Sequence, residues 1–300
     1  MKGYIIVNPF KIPVENVHQA ERLKEEFAKL DVSVEIIFDA YIYSCADSFG
    51  TANPLAKSDF IVYLDKDKYL SEILSKSGAR LFNTHSSVRI CDDKGQTYIA
   101  LSGQGVKIPK TLFGALCYLK DCQIDQGAVN KIESSLGYPI IVKESFGSQG
   151  KGVYLANNRT ELLSIMEDVK LKPHLFQEYV DCKKGTDVRI IVIGKKAVAC
   201  MERHNDKDFR SNVARGGNGI KIVPPKSFIE TAEKCAEILG LDYCGVDLLY
   251  GADGEPIVCE VNSNAFIDGI EKATNINVAG AYAKYIVDSV KNSAKNDVVE

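Results

Sequence analysis

Short apolar runs alternate with amphipathic segments along the first eighty or so residues of the chain. Apolar residues recur at helical spacing within 15–30 and 68–77, which predicts two helices. Four apolar runs of strand length flank these helices, at 4–7, 32–38, 59–64 and 80–83. A succession of strand, helix and strand is typical of a parallel sheet. We therefore predict a small N-terminal βαβ domain over residues 1–84.

The pattern changes at about Thr84. Next come a β-rich segment from Tyr138 and predicted helices at 86–101, 112–120 and 159–168. The last part opens with a strand at 175–179, and its further elements are strands at 187–193 and 197–203 and helices at 226–239 and 275–292. We expect a central subdomain over 85–174, a C-terminal subdomain over 175–292 and a flexible tail at 293–300.

Two β-prone runs near the C-terminal end, 245–250 and 258–262, flank an Asp253-Gly254 pair. Such a pair between strands is a strong hairpin signal. With these two residues at the turn, Asp247 lies opposite Glu260, and Asn262 shares the face of Glu260 because strand side chains alternate. The opposite, core-facing set is then Val246, Leu248, Cys259 and Val261.

Asp247, Glu260 and Asn262 therefore converge on one face of the predicted hairpin. Two carboxylates directly opposite each other destabilise a sheet by about 0.2–1 kcal/mol, and a bound cation removes that repulsion. Oxygen-only ligands favour Mg²⁺ or Mn²⁺ over Zn²⁺. The alternative is a solvated hairpin face with ordinary surface acids, and this trio alone does not decide between the two.

A glycine-rich loop follows the apolar strand that ends at Lys143. Gly147, Gly150 and Gly152 allow its backbone N–H groups to approach phosphate oxygens, and Lys143 adds a positive charge beside them. The order of residues differs from that of a P-loop. The alternative is a flexible hairpin with a solvated lysine.

Three arginines occur within thirteen residues further along the chain, at 203, 210 and 215, beside a pair of glycines. Guanidinium groups bind carboxylate or phosphate oxygens bidentately, so we favour an anion site over a solvated charged loop. The strand that ends at Glu178 and Tyr179 has backbone groups suited to pairing with a purine. A plain connection between strands is the alternative for that segment.

Composition narrows the class of protein. The chain has 300 residues, 45% hydrophobic and 26% charged, which is typical of a soluble globular protein. Its formal net charge is −3 and it has no block of Lys and Arg, so a nucleic acid partner is not indicated. The apolar runs are shorter than a membrane span, and the N-terminus reads as a strand. We expect a cytoplasmic protein whose nine cysteines are mostly buried thiols.

The order of these motifs is more specific than any one of them, and it resembles the ATP-grasp superfamily, in particular the RimK-like glutamate ligases. The resemblance extends from Asp92 to Ile286. It implies an α/β fold in which a small parallel-sheet domain precedes two antiparallel sheets that sandwich ATP. It also implies an ATP-dependent carboxylate–amine ligase, acting through an acylphosphate on an amino acid such as glutamate or on a small peptide.

The resemblance assigns roles residue by residue. The metal ligands for two Mg²⁺ ions would be Asp247, Glu260 and Asn262, and the catalytic residues near the γ-phosphate and acyl group would be Arg203, Arg210 and Asn212. ATP would be bound by Lys94 and Lys143 at its phosphates, by Glu178 and Tyr179 at its adenine, and by Gly147, Gly150, Gly152, Asp187 and Ser211. A homodimer or homotetramer is common among such enzymes.

One departure from the family leaves the substrates open. The ribosomal-protein ligases tend to continue after Asn262 with a small residue, Ser, Pro and Gly, whereas this chain has Ser263-Asn264-Ala265-Phe266-Ile267-Asp268-Gly269. That loop is expected to border the acceptor. Separately from this loop, two alternatives to a ligase stay open: an ATP-grasp kinase or acid-activating enzyme, and a nucleotide-binding module without turnover.

Overall fold

The structure is a computed structural model that describes residues 1–10, 14–148, 150–181, 183–211 and 218–296. Over this part of the chain the strands form a four-stranded parallel sheet, a four-stranded antiparallel sheet, a five-stranded antiparallel sheet and a small two-stranded hairpin. The predicted class, a parallel-sheet N-terminal part followed by two antiparallel sheets, is confirmed. No described helix is both long enough and apolar enough to cross a membrane.

The N-terminal sheet has the strand order β2-β1-β5-β6, and its pairs are parallel. Its elements, with a β3–β4 hairpin that the pattern did not predict, are β1 (Lys2–Val7), α1 (Val14–Ala28), β2 (Ser33–Phe38), β3 (Cys45–Asp47), β4 (Gly50–Ala52), β5 (Phe60–Tyr63), α2 (Lys68–Lys76) and β6 (Leu81–Phe82). Asp67 begins α2, because its carboxylate accepts hydrogen bonds from the N–H groups of Tyr69 and Leu70.

The second sheet has the order β7-β10-β8-β9, with antiparallel pairs throughout. The elements of this part are α3 (His85–Asp92), α4 (Lys94–Leu101), β7 (Thr111–Phe113), α5 (Gln126–Leu136), β8 (Ile140–Glu144), β9 (Val153–Ala156), α6 (Arg159–Val169) and β10 (His174–Glu178). The strand predicted to open the third part, now β10, is therefore hydrogen bonded within the second sheet.

Two helix predictions in this part were wrong. The segment 112–120 does not form a helix, because residues 111–113 pair with β10 and the N–H of Cys117 bonds to the carbonyl of Lys170 at 2.8 Å. The segment 86–101 is two helices, since Asp93 adopts an extended backbone and caps α4 through the N–H groups of Gly95 and Gln96.

The third sheet has the order β13-β12-β11-β14-β15, again antiparallel. Its elements are β11 (Thr186–Ile193), β12 (Lys196–His204), β13 (Asn218–Lys221), α7 (Lys226–Ile238), β14 (Tyr243–Tyr250), β15 (Pro256–Asn262), α8 (Asp268–Thr274) and α9 (Val278–Asn296). The helix expected at 275–292 is α9, which begins at Val278. The helix α8 before it was not predicted, and it ends where Asn275 adopts a left-handed conformation (φ 57°).

The first and third sheets share one hydrophobic core. Ile5 and Phe27 of the N-terminal part pack in the same buried cluster as Ile191, Tyr243 and Tyr282 of the C-terminal part. The second sheet has its own cluster under α5 and α6, which includes Val129, Val142 and Phe176. Burying each such side chain stabilises the fold by about 1.5–3 kcal/mol. The first and third sheets therefore form one body, on which the second sheet is set.

Asn83 fastens these two sheets together by polar contacts. Its side-chain amide donates to the carbonyls of Tyr243 and Ser263, both at 2.8 Å, and accepts from the N–H groups of Asp242 at 2.7 Å and Tyr243 at 2.9 Å. Asn83 is 3% exposed, so these backbone groups have no water to replace it.

We predict that Asn83→Ala lowers the free energy of unfolding by about 2–4 kcal/mol, because it leaves several buried backbone groups unpaired. Denaturant unfolding followed by circular dichroism measures this value. Asn292→Ala, at an exposed position of α9, is the control and should change it by less than about 0.5 kcal/mol. Equal stability of the two variants would show that the contacts of Asn83 do not stabilise the packing of the two sheets.

Candidate functional site

A cleft lies between the second and third sheets. Lys143 on β8, the glycine-rich loop 145–152 and the segment 177–187 line one part of it, and β14 and β15 line another. Most of the residues singled out from the sequence border this cleft: Lys94, Lys143, Gly147, Gly150, Glu178, Tyr179, Asp187, Arg210, Ser211, Asp247 and Glu260. Asn212 lies outside the described residues.

The predicted register of the β14–β15 hairpin is confirmed at the pair of Asp247 and Glu260. Asp247 faces Glu260, and Gly245 faces Asn262. A β-bulge then shifts the pairing so that Leu248 faces Val258, and Cys259 is the extra residue. Val258 is consequently buried in the core, whereas Cys259 borders the cleft, so the predicted core position of Cys259 was wrong.

Two aspartates and two arginines form a buried ion-pair network beside the hairpin. Arg189 binds Asp247 bidentately, with Nε–Oδ1 and Nη2–Oδ2 distances of 2.7 Å. Arg203 binds Asp187 bidentately and also reaches Asp247 Oδ2 at 2.9 Å. The network runs across three neighbouring strands, β11, β12 and β14, so it fixes the position of Asp247 relative to the sheet.

Opposite charges decide the ionisation of this network. Burial alone would raise the pKa of Asp247, but the guanidinium groups of Arg189 and Arg203 lower it below its ordinary value. Burial alone would lower the pKa of Arg203, but Asp247 and Asp187 raise it above its ordinary value. All the described partners of Arg203 are thus carboxylates inside the network, and Arg203 itself is not among the residues that border the cleft.

The three proposed metal ligands keep oxygen positions free for a cation. A carboxylate has about four lone-pair sites, and the arginines use one on Asp247 Oδ1 and two on Oδ2, which leaves one site on Oδ1. Glu260 is partly exposed at the cleft, with Oε1 at 3.5 Å from Lys94 Nζ. The buried amide nitrogen Nδ2 of Asn262 has no partner among the described residues, and its Oδ1 is the atom that a cation would bind. The set fits a divalent cation with oxygen ligands.

A cluster of three His, Cys, Asp or Glu side chains suited to a metal is absent from the part of the chain described. The trio of Asp247, Glu260 and Asn262 contains two such residues and an amide. A cation at this place would therefore complete its coordination with oxygens of a bound ligand or water, as Mg²⁺ commonly does.

Lys143 is buried at the same end of the cleft. Its Nζ lies 3.2 Å from the hydroxyl of Tyr98 and 3.5 Å from the carbonyl of Cys259, to which the hydroxyl of Tyr98 also donates. Burial alone would lower the pKa of Lys143, but Tyr98, Cys259 and Glu260 raise it above its ordinary value. Lys143 is therefore a fixed positive charge. Tyr98 was missed from the sequence, because nothing in the pattern of α4 distinguishes it from a core residue.

Left-handed glycines shape the loop 145–152. Gly150 and Gly152 have φ angles of 70° and 69°, which other residues rarely adopt. A Cβ atom on Gly152 would also lie 3.0 Å from the side chain of Glu144. The turn needs glycine at these positions for conformational reasons, which explains part of the motif without any ligand.

Cations from other parts of the chain hold this loop over the cleft. Arg210 donates from Nη1 to the carbonyls of Gly150 and Val153, both at 3.0 Å, while Asp208 binds the same guanidinium. Lys94 donates to the carbonyl of Gly147 at 2.8 Å. The loop is thus connected to the third sheet's side of the cleft through Arg210.

The other end of the cleft holds Glu178 and Tyr179. The carboxylate of Glu178 accepts from the N–H of Lys110 at 2.8 Å, and its own N–H donates to the carbonyl of Lys110 at 3.1 Å. The side chain of Glu178 therefore fixes the chain at 110, next to β7. Tyr179 follows it at the border of the cleft, and Ser211 lies buried at the border as well.

Comparison with protein families and known proteins gives three findings. The model of the RimK-like ATP-grasp domain matches residues 91–286. N-acetylaspartylglutamate synthase A of Homo sapiens is 34% identical over 235 residues, which cover 77% of this chain and 58% of the human protein. The protein named Probable alpha-L-glutamate ligase, of Legionella pneumophila (strain Corby), is 34% identical over 223 residues, covering 73% of this chain and 70% of the Legionella protein. The chain thus spans little more than half of the human synthase.

The structure of D-alanine–D-alanine ligase from Bacillus anthracis, solved in complex with ATP, superimposes on this chain with a TM-score of 0.71. The match covers 99% of both chains at 18% sequence identity. At this identity the likeness concerns the fold, which is the ATP-grasp fold.

Removing the side chain of Arg210 should free the glycine-rich loop. Hydrogen bonds to a charged donor contribute about 1.5–3 kcal/mol, so Arg210→Ala should speed amide hydrogen exchange in 145–152 by at least about tenfold. Exchange measured by mass spectrometry tests this, with Lys207→Ala, an exposed residue nearby, as the control. An unchanged exchange rate in the Arg210 variant would show that its contacts do not hold the loop.

Proposed function

The chain belongs to the RimK-like ATP-grasp family, as the order of its motifs predicted, and from this premise we propose that it is an ATP-dependent carboxylate–amine ligase. The reaction would transfer the γ-phosphoryl group of ATP to a carboxylate, and an amine would then displace phosphate from the acylphosphate. The products are an amide, ADP and phosphate.

One observation carries this proposal: cations and oxygen ligands meet at one end of the cleft. Lys94, Lys143 and Arg210 border it together with Asp247 and Glu260. Phosphoryl transfer is catalysed mainly by positioning and by neutralising charge on the phosphoryl oxygens. This end of the cleft supplies the charges that such a transfer needs.

Nucleotide contacts follow from the placement of the same residues. We assign the phosphates of ATP to Lys94 and Lys143, and the adenine to the border at Glu178 and Tyr179. Gly147, Gly150 and Gly152 shape the loop that covers the phosphates, and Asp187 and Ser211 lie beside the nucleotide. Arg210 would release the backbone carbonyls that it now binds and would bind the transferred phosphoryl group instead. Asn212 would lie nearby, and Arg203 would orient Asp247 from within the ion-pair network.

We assign the divalent cation, Mg²⁺ or Mn²⁺, to Asp247, Glu260 and Asn262. When bound, it would neutralise the phosphate oxygens and lower the barrier to their transfer. The loop 145–152 lies where it can keep water from the acylphosphate, which would otherwise be hydrolysed. Lys143 keeps its proton throughout, because its pKa is raised above the ordinary value.

Glutamate is our choice for the amine substrate. The names of the human and Legionella relatives both refer to glutamate, and both proteins exceed 30% identity to this chain. These names do not identify the acid that is activated or the number of residues that are added. The division into 1–84, 85–174, 175–292 and a tail, the oligomeric state and the location in the cytoplasm likewise stay predictions.

Release of ADP across a panel of acids with L-glutamate, followed by mass spectrometry of the products, tests the proposal. A ligase gives an amide whose mass is the sum of the two substrates minus water. Hydroxylamine without amine should give an acyl hydroxamate. A stable phosphoester would instead indicate a kinase, and tight ATP binding without any ADP release would indicate a binding module.

We predict that Glu260→Gln lowers the rate of ADP release at least about 100-fold, because it removes a charged ligand of the cation. The fold should be unchanged by circular dichroism, since Glu260 is partly exposed. Glu255→Gln, in the exposed turn of the same hairpin, is the control and should keep the wild-type rate. A Glu260→Gln enzyme with full activity would remove the metal assignment.

A further inference from the structure

Two arginines contact Asp247, but they differ in their access to solvent. The side chain of Arg203 is 2% exposed and that of Arg189 is 15% exposed. Arg203 is enclosed by two carboxylates, Asp187 and Asp247, whereas Asp247 alone binds Arg189 among the described residues. Arg189 is therefore the member of the network that can still take a ligand.

The guanidinium of Arg189 has donors to spare. Its Nε and Nη2 atoms are both used by Asp247, which fixes the plane of the group. Within the described residues no acceptor lies at hydrogen-bond distance of Nη1. A guanidinium carries five N–H donors in a fixed fork, so the edge at Nη1 is already oriented while its donors are free.

Arg189 contacts Asp247 from the neighbouring strand β11. Asp247 borders the cleft, but Arg189 is not among the residues that line it. A Cβ atom on Gly245 would lie 3.7 Å from Arg189 Nε and 2.6 Å from the Cβ of Ala265. The arginine is therefore near the start of the loop 263–269, where Ala265 packs directly against the backbone of Gly245.

The start of this loop is held firmly. The carbonyl of Ala265 accepts from the hydroxyl of Tyr243 at 2.7 Å, and the amide of Asn264 donates to the carbonyl of Leu64 at 2.9 Å. A ligand bound beside Arg189 would therefore meet neighbouring residues whose positions are already fixed. Preorganisation of this kind lowers the cost of binding.

Charge favours an anion at this place. Arg189 and Arg203 balance Asp187 and Asp247 one for one, so the network is neutral. The unused N–H donors of Arg189 belong to a cationic guanidinium, which binds an anionic group more strongly than a neutral one. A carboxylate matches the planar fork of a guanidinium better than other anionic groups of an amino acid do.

We propose that Arg189 binds a carboxylate of the amino-acid substrate and so selects that substrate on the acceptor side of Asp247. This inference rests on the proposed ligase function, since it names the residue that recognises the proposed glutamate. Arg189 then has two contacts, one with Asp247 through Nε and Nη2 and one with the substrate through the opposite edge.

Calorimetry with three ligands tests the proposal without turnover. L-glutamine and L-isoglutamine each have one carboxylate of L-glutamate replaced by an amide. The side-chain carboxylate is replaced in glutamine and the α-carboxylate in isoglutamine. In the presence of magnesium and a non-hydrolysable ATP analogue, the wild type should bind glutamate more tightly than one of the two amides, by roughly 10- to 100-fold. Arg189→Gln should bind glutamate weaker by the same factor and lose the difference between acid and amide.

A purely structural role of Arg189 would not change the preference for acid over amide. Arg189→Gln with wild-type glutamate affinity or undiminished preference would overturn the proposal, and so would a wild type that binds none of the ligands or does not distinguish them. Arg89→Gln, on an exposed part of α3, is the control and should behave as the wild type.

If Arg189→Gln does not fold, Arg189→Lys replaces it. Lysine keeps the charge beside Asp247 but has no planar fork, so glutamate affinity should fall roughly tenfold. An unchanged affinity in the lysine variant would overturn the proposal. Failure of the ligase function is seen separately, as absence of ADP release by the wild type with every acid and amine offered.

Discussion

The structure of the candidate site depends on the pairing of two buried aspartates with two arginines. Asp187 and Asp247 are 4% and 2% exposed, and a buried carboxylate without a partner is very unfavourable. Arg203 joins the two aspartates, and Arg189 holds Asp247 from the neighbouring strand. The carboxylate that faces Glu260 is therefore held in one orientation before any ligand arrives.

The cores explain why the cleft lies where it does. The first and third sheets share one apolar cluster, whereas the second sheet is packed against its own helices. Across the cleft the described contacts that hold the glycine-rich loop are polar and come from a few cations, such as Arg210 and Lys94. A ligand with several anionic oxygens can compete for those cations, which is how we connect the architecture with phosphate binding.

Local patterns in the sequence were sufficient for much of this fold. Alternation of apolar residues and the Asp-Gly turn placed Asp247 opposite Glu260, because both depend on neighbours along the chain. The bulge at Cys259 was not predictable, since it arises where Tyr98 and Lys143 meet the Cys259 carbonyl. The segment 112–120 was read as a helix because its long-range pairing with β10 is invisible to local propensity.

The site residues also divide into those that the sequence identified and those that depend on long-range pairing. Motif order and family resemblance named those that border the cleft, while Arg189 was not assigned a role because its partner, Asp247, lies 58 residues away. Only the pairing of β11 with β14 brings the two together. The assignment of Asn212 depends on family resemblance alone, because this residue lies outside the described part of the chain.

Calorimetric titration of the intact protein with ATP is the most direct test of the central claim, that the cations and oxygen ligands of this cleft bind a nucleotide together with a divalent metal. We expect a binding isotherm with one site in the presence of magnesium, and much weaker binding when a chelator removes the metal. Absence of binding heat, or an affinity that does not change with the chelator, would contradict the account.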